Sequence, residues 1–154
     1  MTNWLSQEQQ EIWRSWLSAT SLLPDQLGRD LQRDSGLTSA DYEILVRLSE
    51  AVNQKIRMSD LAECTLSSRS RLSHQIDRME KSGFVTREEC PDDRRGSFAV
   101  LTERGQDLLV SAAPGHVESV RRHLVDILTP EEFESLGKVC TKVSNHLKSL
   151  TSNN

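Results

Sequence analysis

Two adjacent arginines, Arg94 and Arg95, lie in a stretch whose residue types predict a β-hairpin. Arg87 and residues 98–101 belong to runs with the alternation of short strands, separated by the turn-forming residues Pro91, Asp92, Asp93 and Gly96. Guanidinium groups on a narrow, exposed arm suit the minor groove of DNA, where the negative potential attracts them. The stretch therefore predicts the wing of a DNA-binding domain.

The distribution of charge along the chain supports a DNA-binding domain, although the net charge of the whole chain does not. The 154-residue chain has a formal charge of −4, which by itself argues against a nucleic-acid partner. Residues 66–104 nevertheless contain 8 Lys or Arg against 7 Asp or Glu, whereas residues 1–65 and 105–154 are both net acidic. Residues 66–76 contain two arginines, a histidine and no acid. Such a segment is suited to contact with DNA phosphates.

Capping residues and apolar spacing predict a helix-turn-helix before the wing. Ser59 is expected to cap a short helix, and Ser67 or Ser68 a longer one that ends at Gly83. In the longer helix the apolar residues at i, i+4 and i+7 should face the core, namely Leu72, Ile76 and Met79. The face turned away from this stripe then presents Ser70, His74, Asp77 and Lys81 to solvent.

The N-terminal third predicts two further helices. Ser6 and Gln9 form a capping-box pattern before a long amphipathic helix, which Pro24 should bend or split. Gly36 ends this segment, and Thr38 caps the next helix.

The C-terminal third is also expected to be helical. Thr102 should cap a helix that continues to about Leu128, with a kink or break at residues 112–115. Pro130 suits the first position of the last helix. Apolar residues then recur at steps of 4, 3, 4 and 3, as in a coiled-coil seam, at Leu136, Cys140, Val143, Leu147 and Leu150. This seam requires a partner, either the first helix of the same chain or a second copy, and we favour a dimer that uses both terminal helices.

Composition excludes several classes of protein. Neither a signal peptide nor a run of eighteen apolar residues is present, so we expect a cytoplasmic protein with no membrane partner. The three scattered cysteines do not predict a disulfide framework or a metal site. The chain has no phosphate-binding glycine loop, paired-histidine zinc helix or nucleophile elbow. We therefore expect no enzymatic activity and no cofactor.

These motifs together resemble the MarR family of bacterial transcription regulators, over residues 8–150. The motifs that carry the resemblance are LT at 37–38, MSDLA at 58–62, IDRMEKSGFVTR at 76–87, DRR at 93–95 and LTERG at 101–105. The resemblance implies a mainly α fold with a small β-hairpin wing, that is, a winged helix-turn-helix dimeric through its N- and C-terminal helices. Residues 1–154 would form a single domain, with dimerisation helices at 1–36 and 106–154 around a DNA-binding lobe at 37–105.

The resemblance also implies roles for residues of the longer helix, which would enter the major groove. Ser70, Arg71 and His74 are the expected base-edge readers, since they lie on its outward face in its N-terminal half. Arg69 and Ser73 are expected to contact phosphates.

In the wing, Arg95 matches the minor-groove arginine of the family. Asp93 matches the carboxylate that orients this arginine by a charge-assisted pair, and Arg94 is a second DNA-contacting candidate. The function implied is a homodimeric repressor that binds a pseudo-palindromic operator in double-stranded DNA and is released by an effector. A winged helix used for protein contact is an alternative that the acidic balance permits.

The nature of the effector stays open in the sequence. Trp13, Trp16 and Tyr42 are candidates for a pocket that binds a small aromatic or lipophilic compound, although they equally suit packing. Control by thiol oxidation is the alternative, with Cys64 and Cys90 as the candidates. We expect Cys64 to lie near the apolar stripe of its helix and Cys90 to be exposed at the base of the wing.

Overall fold

The computed structural model describes residues 1–151, except for the side chains of Arg94 and Thr151. Its helices and strands are α1 (Gln7–Ser35), α2 (Ser39–Glu50), β1 (Lys55–Arg57), α3 (Met58–Cys64), α4 (Arg69–Lys81), β2 (Val85–Cys90), β3 (Asp93–Leu101), α5 (Glu103–Val120) and α6 (Pro130–Thr151). A 3-10 turn at Val52–Gln54 precedes β1, and a π-helical turn at Arg121–Val125 follows α5. The strands form an antiparallel sheet in the order β1-β3-β2. The predicted mainly α fold with a β-hairpin wing is confirmed.

The chain divides into two compact units, residues 1–116 and a second unit that begins at Val117. The core of the first unit is formed by residues of the five helices α1, α2, α3, α4 and α5 and of the sheet. Its α4 stripe is almost completely buried, at no more than 2% exposure, as the spacing predicts. The whole core consists of Leu31, Leu37, Ile44, Leu45, Leu48, Leu61, Ala62, Leu72, Ile76, Met79, Val85, Ala99, Leu101, Leu109 and Ala112.

Most predicted helix boundaries are confirmed by side-chain caps. Ser6 and Gln9 form the capping box of α1, and Thr38 accepts a hydrogen bond at the start of α2. The prediction that Ser59 caps α3 is wrong, because this helix begins at Met58 with no side-chain cap. Strand β1 leads directly into α3, so pairing of Arg57 with β3 fixes that boundary instead.

Neither internal proline splits its helix. Helix α1 continues through Pro24, and α5 continues through Pro114. A proline removes one backbone hydrogen bond, and a helix that also packs on a core tolerates that loss. Leu31 of α1 and the α5 residues Leu109 and Ala112 belong to the core. A break at residues 112–115, one of the two predicted alternatives, is therefore wrong, and a kink there stays a prediction.

Strand β1 is the element that the sequence did not predict. Its three residues pair with β3, with Ile56 opposite Ala99 and Arg57 opposite Phe98. A run of three residues is too short to show strand alternation. The pairing of β1 with β3 therefore joins the base of the wing to Arg57, the residue that precedes α3.

In the second unit, α6 begins as predicted at Pro130. Thr129 and Glu132 cap it reciprocally, with bonds of 2.8 and 3.2 Å between the backbone N–H of each residue and the side chain of the other. The C-terminal part of the predicted seam is exposed in the single chain, since Val143, Leu147 and Leu150 are 44%, 55% and 53% accessible.

The junction between the wing and α5 depends on Thr102 and Gly105. The Thr102 hydroxyl donates to the Gly83 carbonyl at 2.7 Å and accepts from the Gly105 N–H at 3.0 Å. A Cβ atom on Gly105 would lie 2.1 Å from the carbonyl oxygen of Phe84. Residue 105 therefore has to be glycine for α5 to approach the start of β2 this closely.

We predict that Gly105→Ala lowers the free energy of unfolding by about 1–3 kcal/mol, because the backbone at Phe84 must move. Gly137→Ala in α6 is the matched control, since a Cβ there meets nothing within 4 Å. That change should raise the free energy of unfolding by about 0.5–1 kcal/mol through helix propensity. Urea denaturation measures both, and similar effects at the two positions would contradict the close contact at Phe84.

Candidate nucleic-acid interface

The N-terminal half of α4 presents a cationic surface. The Ser68 hydroxyl caps the helix by accepting the N–H of Arg71 at 3.2 Å, and the first turn contains no acid. Arg69, Ser70, Arg71 and His74 are all exposed. Four of the five side chains predicted to contact DNA from this helix thus lie together on an accessible face.

The fifth, Ser73, is half-buried and faces the wing. Its carbonyl oxygen accepts a hydrogen bond of 3.1 Å from the guanidinium of Arg87 on β2. The same guanidinium forms ion pairs of 2.6 Å with Asp77 and 2.9 Å with Glu80. We call this set of contacts the Arg87 clamp. It joins the wing to α4 and compensates two carboxylates on the side of the helix that faces the wing.

The carboxylate of Asp93 organises the start of β3 differently from the prediction. It accepts the backbone N–H of Arg95 at 3.0 Å and lies 3.8 Å from the guanidinium of Arg57. The expected pairing of Asp93 with the Arg95 guanidinium is therefore corrected to a bond with the Arg95 backbone. The Arg95 side chain remains exposed. The side chain of Arg94 lies outside the described residues, and its role stays a prediction.

Gly96 was predicted to lie in the turn. It lies instead within β3. A Cβ atom at this position would lie 2.9 Å from the Asp93 carboxylate and 3.2 Å from the sulfur of Cys90. Its lack of a side chain leaves room for that carboxylate to turn toward Arg57 and the Arg95 N–H.

A cleft of about 660 Å³ separates the wing from α3 and α4. Four guanidinium groups and a single carboxylate, that of Asp93, line it, together with four serine residues. The arginines are Arg57, Arg69, Arg87 and Arg95. Multiple guanidinium groups around a polar cleft can bind the phosphates of a nucleic-acid strand.

No DNA-contact role was predicted for six residues of this cleft, which are Arg57, Met58, Ser59, Arg87, Gly96 and Ser97. Arg57 directly precedes the MSDLA motif, so its place in the sequence indicated that it lies at the start of the helix-turn-helix. Its position beside the wing nevertheless depends on β1, which was not predicted.

Comparison with known proteins decides the family. The MarR family model matches residues 35–96 of this chain. AbsC, a MarR family transcriptional regulator from Streptomyces coelicolor, is 51% identical, with 96% of this chain and 99% of AbsC covered and a TM-score of 0.90. The chain belongs to the MarR family.

Two further relatives are also transcriptional regulators. Sco3205 from Streptomyces coelicolor is a MarR family regulator whose structure was solved in complex with DNA. It is 46% identical to this chain, with 95% of this chain and 92% of the Sco3205 chain covered and a TM-score of 0.90. The transcriptional regulator HosA from Escherichia coli O111:H- is 30% identical over 109 residues, 71% of this chain and 78% of HosA. This MarR protein is a DNA-binding transcriptional regulator, and its relatives are regulators rather than enzymes.

A second anchor holds α4 from the side of α2. The carboxylate of Asp41 accepts hydrogen bonds from Arg78 at 2.7 Å and from Gln75 at 3.1 Å. The Asp41 side chain is only 13% exposed. The orientation of α4 in this MarR protein is therefore fixed by the Arg87 clamp on one side and by Asp41 on the other.

Of the three residues predicted for an effector pocket, Tyr42 lines a cavity of about 410 Å³ between α1, α2 and α5. Leu31, Tyr42 and Val46 supply its apolar surface, and the polar residues around it are Ser39, Glu43, Arg47, Glu50 and His116. Trp13 and Trp16 do not line it, and Trp13 is 50% exposed. The single chain therefore does not bring the three predicted residues together.

His116 is a residue of this cavity to which the sequence analysis gave no role. Its ring lies 4.6 Å from that of Tyr42, centroid to centroid, at an angle of 46°. Its Nδ1 atom is buried and has no hydrogen-bond partner in the described part of the chain. Burial lowers the pKa of His116 below the ordinary 6.5 and raises the pKa of Tyr42 above 10.0. Both rings are therefore uncharged at neutral pH.

The two candidate redox cysteines have the reverse of the expected exposures. Cys64 is exposed, because Leu61 and Ala62 occupy the buried face of α3. Cys90 is buried, because a register shift between Glu89 and Cys90 turns its side chain inward. The described residues contain no cluster of three or more His, Cys, Asp or Glu that could hold a metal ion. None of the helices described is long and apolar enough to span a membrane.

We predict an acid-dependent loss of stability that originates at His116. Because its pKa is lower in the folded chain than in the unfolded chain, the unfolded state takes up the proton first. The stabilisation is complete above pH 6.5 and is lost as the pH falls from there through the lowered pKa. The charged residues around the same cavity are Glu43, Arg47 and Glu50.

Urea midpoints measured at pH 7.5, 6.5, 5.5 and 5.0 test this. His116→Phe should give a flatter dependence on pH than the wild type. The control His146→Gln, at an exposed position of α6, should keep the wild-type dependence because His116 is still present. Parallel curves for His116→Phe and the wild type would show that another group is responsible.

Proposed function

We propose that this protein is a homodimeric repressor that binds a pseudo-palindromic operator and is released by a small-molecule effector. The observation that carries the DNA-binding part is the arginine-lined cleft between α4 and the wing. A nucleic-acid strand in this cleft places the exposed face of α4 at the major groove and Arg95 at the adjacent minor groove. Family membership favours DNA over the protein-contact alternative.

The proposed contacts divide between base edges and backbone. Ser70, Arg71 and His74 reach base edges, and Arg69 contacts phosphate from the first turn of α4. Ser73 contacts phosphate through its hydroxyl, while its carbonyl holds Arg87. In the wing, Arg95 enters the minor groove, and Asp93 holds the Arg95 backbone in place. Arg94 is the second wing contact.

The proposed dimer is supported by apolar side chains that the single chain leaves exposed at both ends. On α1 these are Ile12, Trp13 and Leu17, and on α6 they are Val143, Leu147 and Leu150. Removal of such surface from water is the main driving force for association. Residues 1–36 and 106–154 then form the dimerisation helices around the DNA-binding lobe at 37–105. The two copies of α4 should meet half-sites about 34–36 Å apart.

Repression follows when the dimer covers a promoter, and release follows when an effector favours a different spacing of the two α4 helices. Cys64 is exposed and remains the candidate for the alternative of thiol oxidation, whereas the buried position of Cys90 disfavours this role. Burial restricts the access of an oxidant to its sulfur.

The first prediction concerns the cleft. Selection from a pool of random duplexes should recover an inverted repeat, and titration of that site at several salt concentrations should then compare single variants. Arg95→Ala and Arg57→Ala are each expected to weaken binding about tenfold or more, because each removes a guanidinium from the cleft. If Arg57 contacts phosphate, its loss should also reduce the slope of log K against log salt by about 1.

Arg29→Ala is the matched control, because it removes the same charge from a residue of α1 that pairs with Asp25. It should change neither affinity nor salt slope by a comparable amount. Equal losses for Arg29→Ala and Arg95→Ala would mean that only net charge matters and would contradict the wing assignment. Failure to enrich any sequence would contradict operator recognition itself.

The second prediction concerns the dimer. Light scattering should give twice the 17.4 kDa of a single chain. Leu147→Glu is expected to shift the protein toward monomer and to reduce operator affinity, because it buries a charge in the proposed interface. Asn145→Glu is the control, since it adds the same charge about 200° around α6. A wild-type monomer, or dissociation by both variants alike, would contradict the proposed seam.

A further inference from the structure

We propose that a second phosphate site lies across α4 from the wing, so that the chain holds both strands of the duplex on either side of one major groove. The site is a cleft of about 610 Å³ between α4 and the start of α2, which we call the α2 cleft. Its lining residues are Thr38, Ala40, Ser68, Ser70, Arg71, His74, Gln75 and Arg78. The proposal rests on the proposed function, because it concerns how the same DNA is held.

The dimensions of DNA call for phosphate donors on both sides of α4. The major groove is about 12 Å wide, and a helix with its side chains is about 10–12 Å in diameter. A helix that reads bases in this groove therefore has a sugar-phosphate backbone close to it on each side. The arginine-lined cleft between α4 and the wing, here called the wing cleft, can hold only one of them.

The two clefts lie on opposite sides of α4 and meet at Ser70, which lines both. Arg69 and Ser73 line the wing cleft, and Arg71 and His74 line the α2 cleft. Successive residues of a helix point about 100° apart, so Arg69 and Arg71 diverge by about 200°. Ser70 lies between them and marks the ridge of α4 that faces the base pairs. The continuity of the two clefts at this ridge favours DNA over a free anion.

The α2 cleft is positively charged. Its lining residues include two guanidinium groups, those of Arg71 and Arg78, and no carboxylate. Arg78 donates from Nη2 to the Asp41 carboxylate at 2.7 Å, and its side chain is 61% exposed. A guanidinium has five N–H donors, so this bond orients the group and leaves other donors for a phosphate oxygen.

Two hydroxyl groups add neutral donors to the α2 cleft. The Thr38 hydroxyl accepts the N–H of Asp41 at 3.1 Å, and the Ser68 hydroxyl accepts the N–H of Arg71 at 3.2 Å. Both bonds use an oxygen lone pair, so each hydroxyl can still donate its own hydrogen. Hydroxyl and guanidinium groups are typical ligands of DNA phosphates. The α2 cleft therefore has the donors that a second backbone requires.

The test replaces single phosphates of the selected operator by neutral methylphosphonate linkages, one position at a time on each strand. Wild-type protein should lose affinity about threefold or more at two groups of positions in each half-site, on opposite strands across the major groove. Arg78→Ala should be insensitive to replacement at one group only. Arg57→Ala, in the wing cleft, should be insensitive at the other group only.

Salt dependence provides the second measurement. Arg78→Ala should reduce the slope of log K against log salt by about 1, because one phosphate contact is lost, whereas Arg78→Lys should retain the slope. Asp41→Asn leaves Arg78 in place and should also retain the slope. Arg47→Ala is the matched control, since Arg47 donates to Glu43 at 2.7 Å and lines neither cleft. This control should keep both the slope and the pattern of the wild type.

Three results would overturn the second site while operator binding remains intact. These are sensitivity to neutral linkages on one strand only, a wild-type slope for Arg78→Ala, and an equal loss of sensitivity at both groups, which would mean that Arg78 only positions α4. Failure to recover any operator would contradict the proposed function instead. Salt slopes measured on a non-specific duplex would then still decide whether Arg78 neutralises a phosphate.

Discussion

The Arg87 clamp is the interaction on which the DNA-binding surface depends. A β-hairpin of two strands is marginally stable alone, and its direction relative to a neighbouring helix needs a separate constraint. Arg87 supplies this constraint, since one guanidinium bonds to the Ser73 carbonyl, to Asp77 and to Glu80. The side chain is 26% exposed, so these charge-assisted bonds are less screened than those on an open surface. The wing and α4 are consequently held together as one unit.

The clamp also explains how a chain of net charge −4 presents a cationic face. Several carboxylates near α4 and the wing form ion pairs within the chain, and Arg69 and Arg95 of the cleft have no ion-pair partner among the described residues. The internal pairs are Asp41 with Arg78, Asp77 and Glu80 with Arg87, Glu88 with Lys55, and Asp93 with Arg57. Charges beyond about 8–10 Å are largely screened at physiological salt, so the local field of the cleft counts for more than the total charge of the chain. The total charge is therefore a poor guide to the partner.

Local interactions made much of the fold predictable. Helix caps such as Ser68 depend on residues three positions apart, and the α4 stripe depends on helical period, so both follow from sequence alone. The features that were missed or wrong depend on distant parts of the chain. Strand β1 exists because β3 lies beside it, and Cys90 is buried because a register shift turns it inward. The ion pair between Asp93 and Arg57 depends on the same strand, because β1 places Arg57 beside the wing. For the cavity, the sequence identified Tyr42, whereas His116 lies 74 positions later and joins it only through packing of α5.

Helix α2 connects the two sites of the first unit through consecutive residues. Asp41 and Tyr42 point about 100° apart on the helix, so one bonds to α4 while the other faces the cavity. Hydrogen bonds weaken steeply with misalignment, whereas contacts between rings tolerate sliding, so a small rotation of α2 affects the Asp41 side more than the Tyr42 side. A ligand that prefers one orientation of α2 therefore changes the population of α4 orientations without touching DNA. We expect the same linkage to act in reverse, so that DNA which holds α4 in one orientation changes the affinity of the chain for any such ligand by an equal factor.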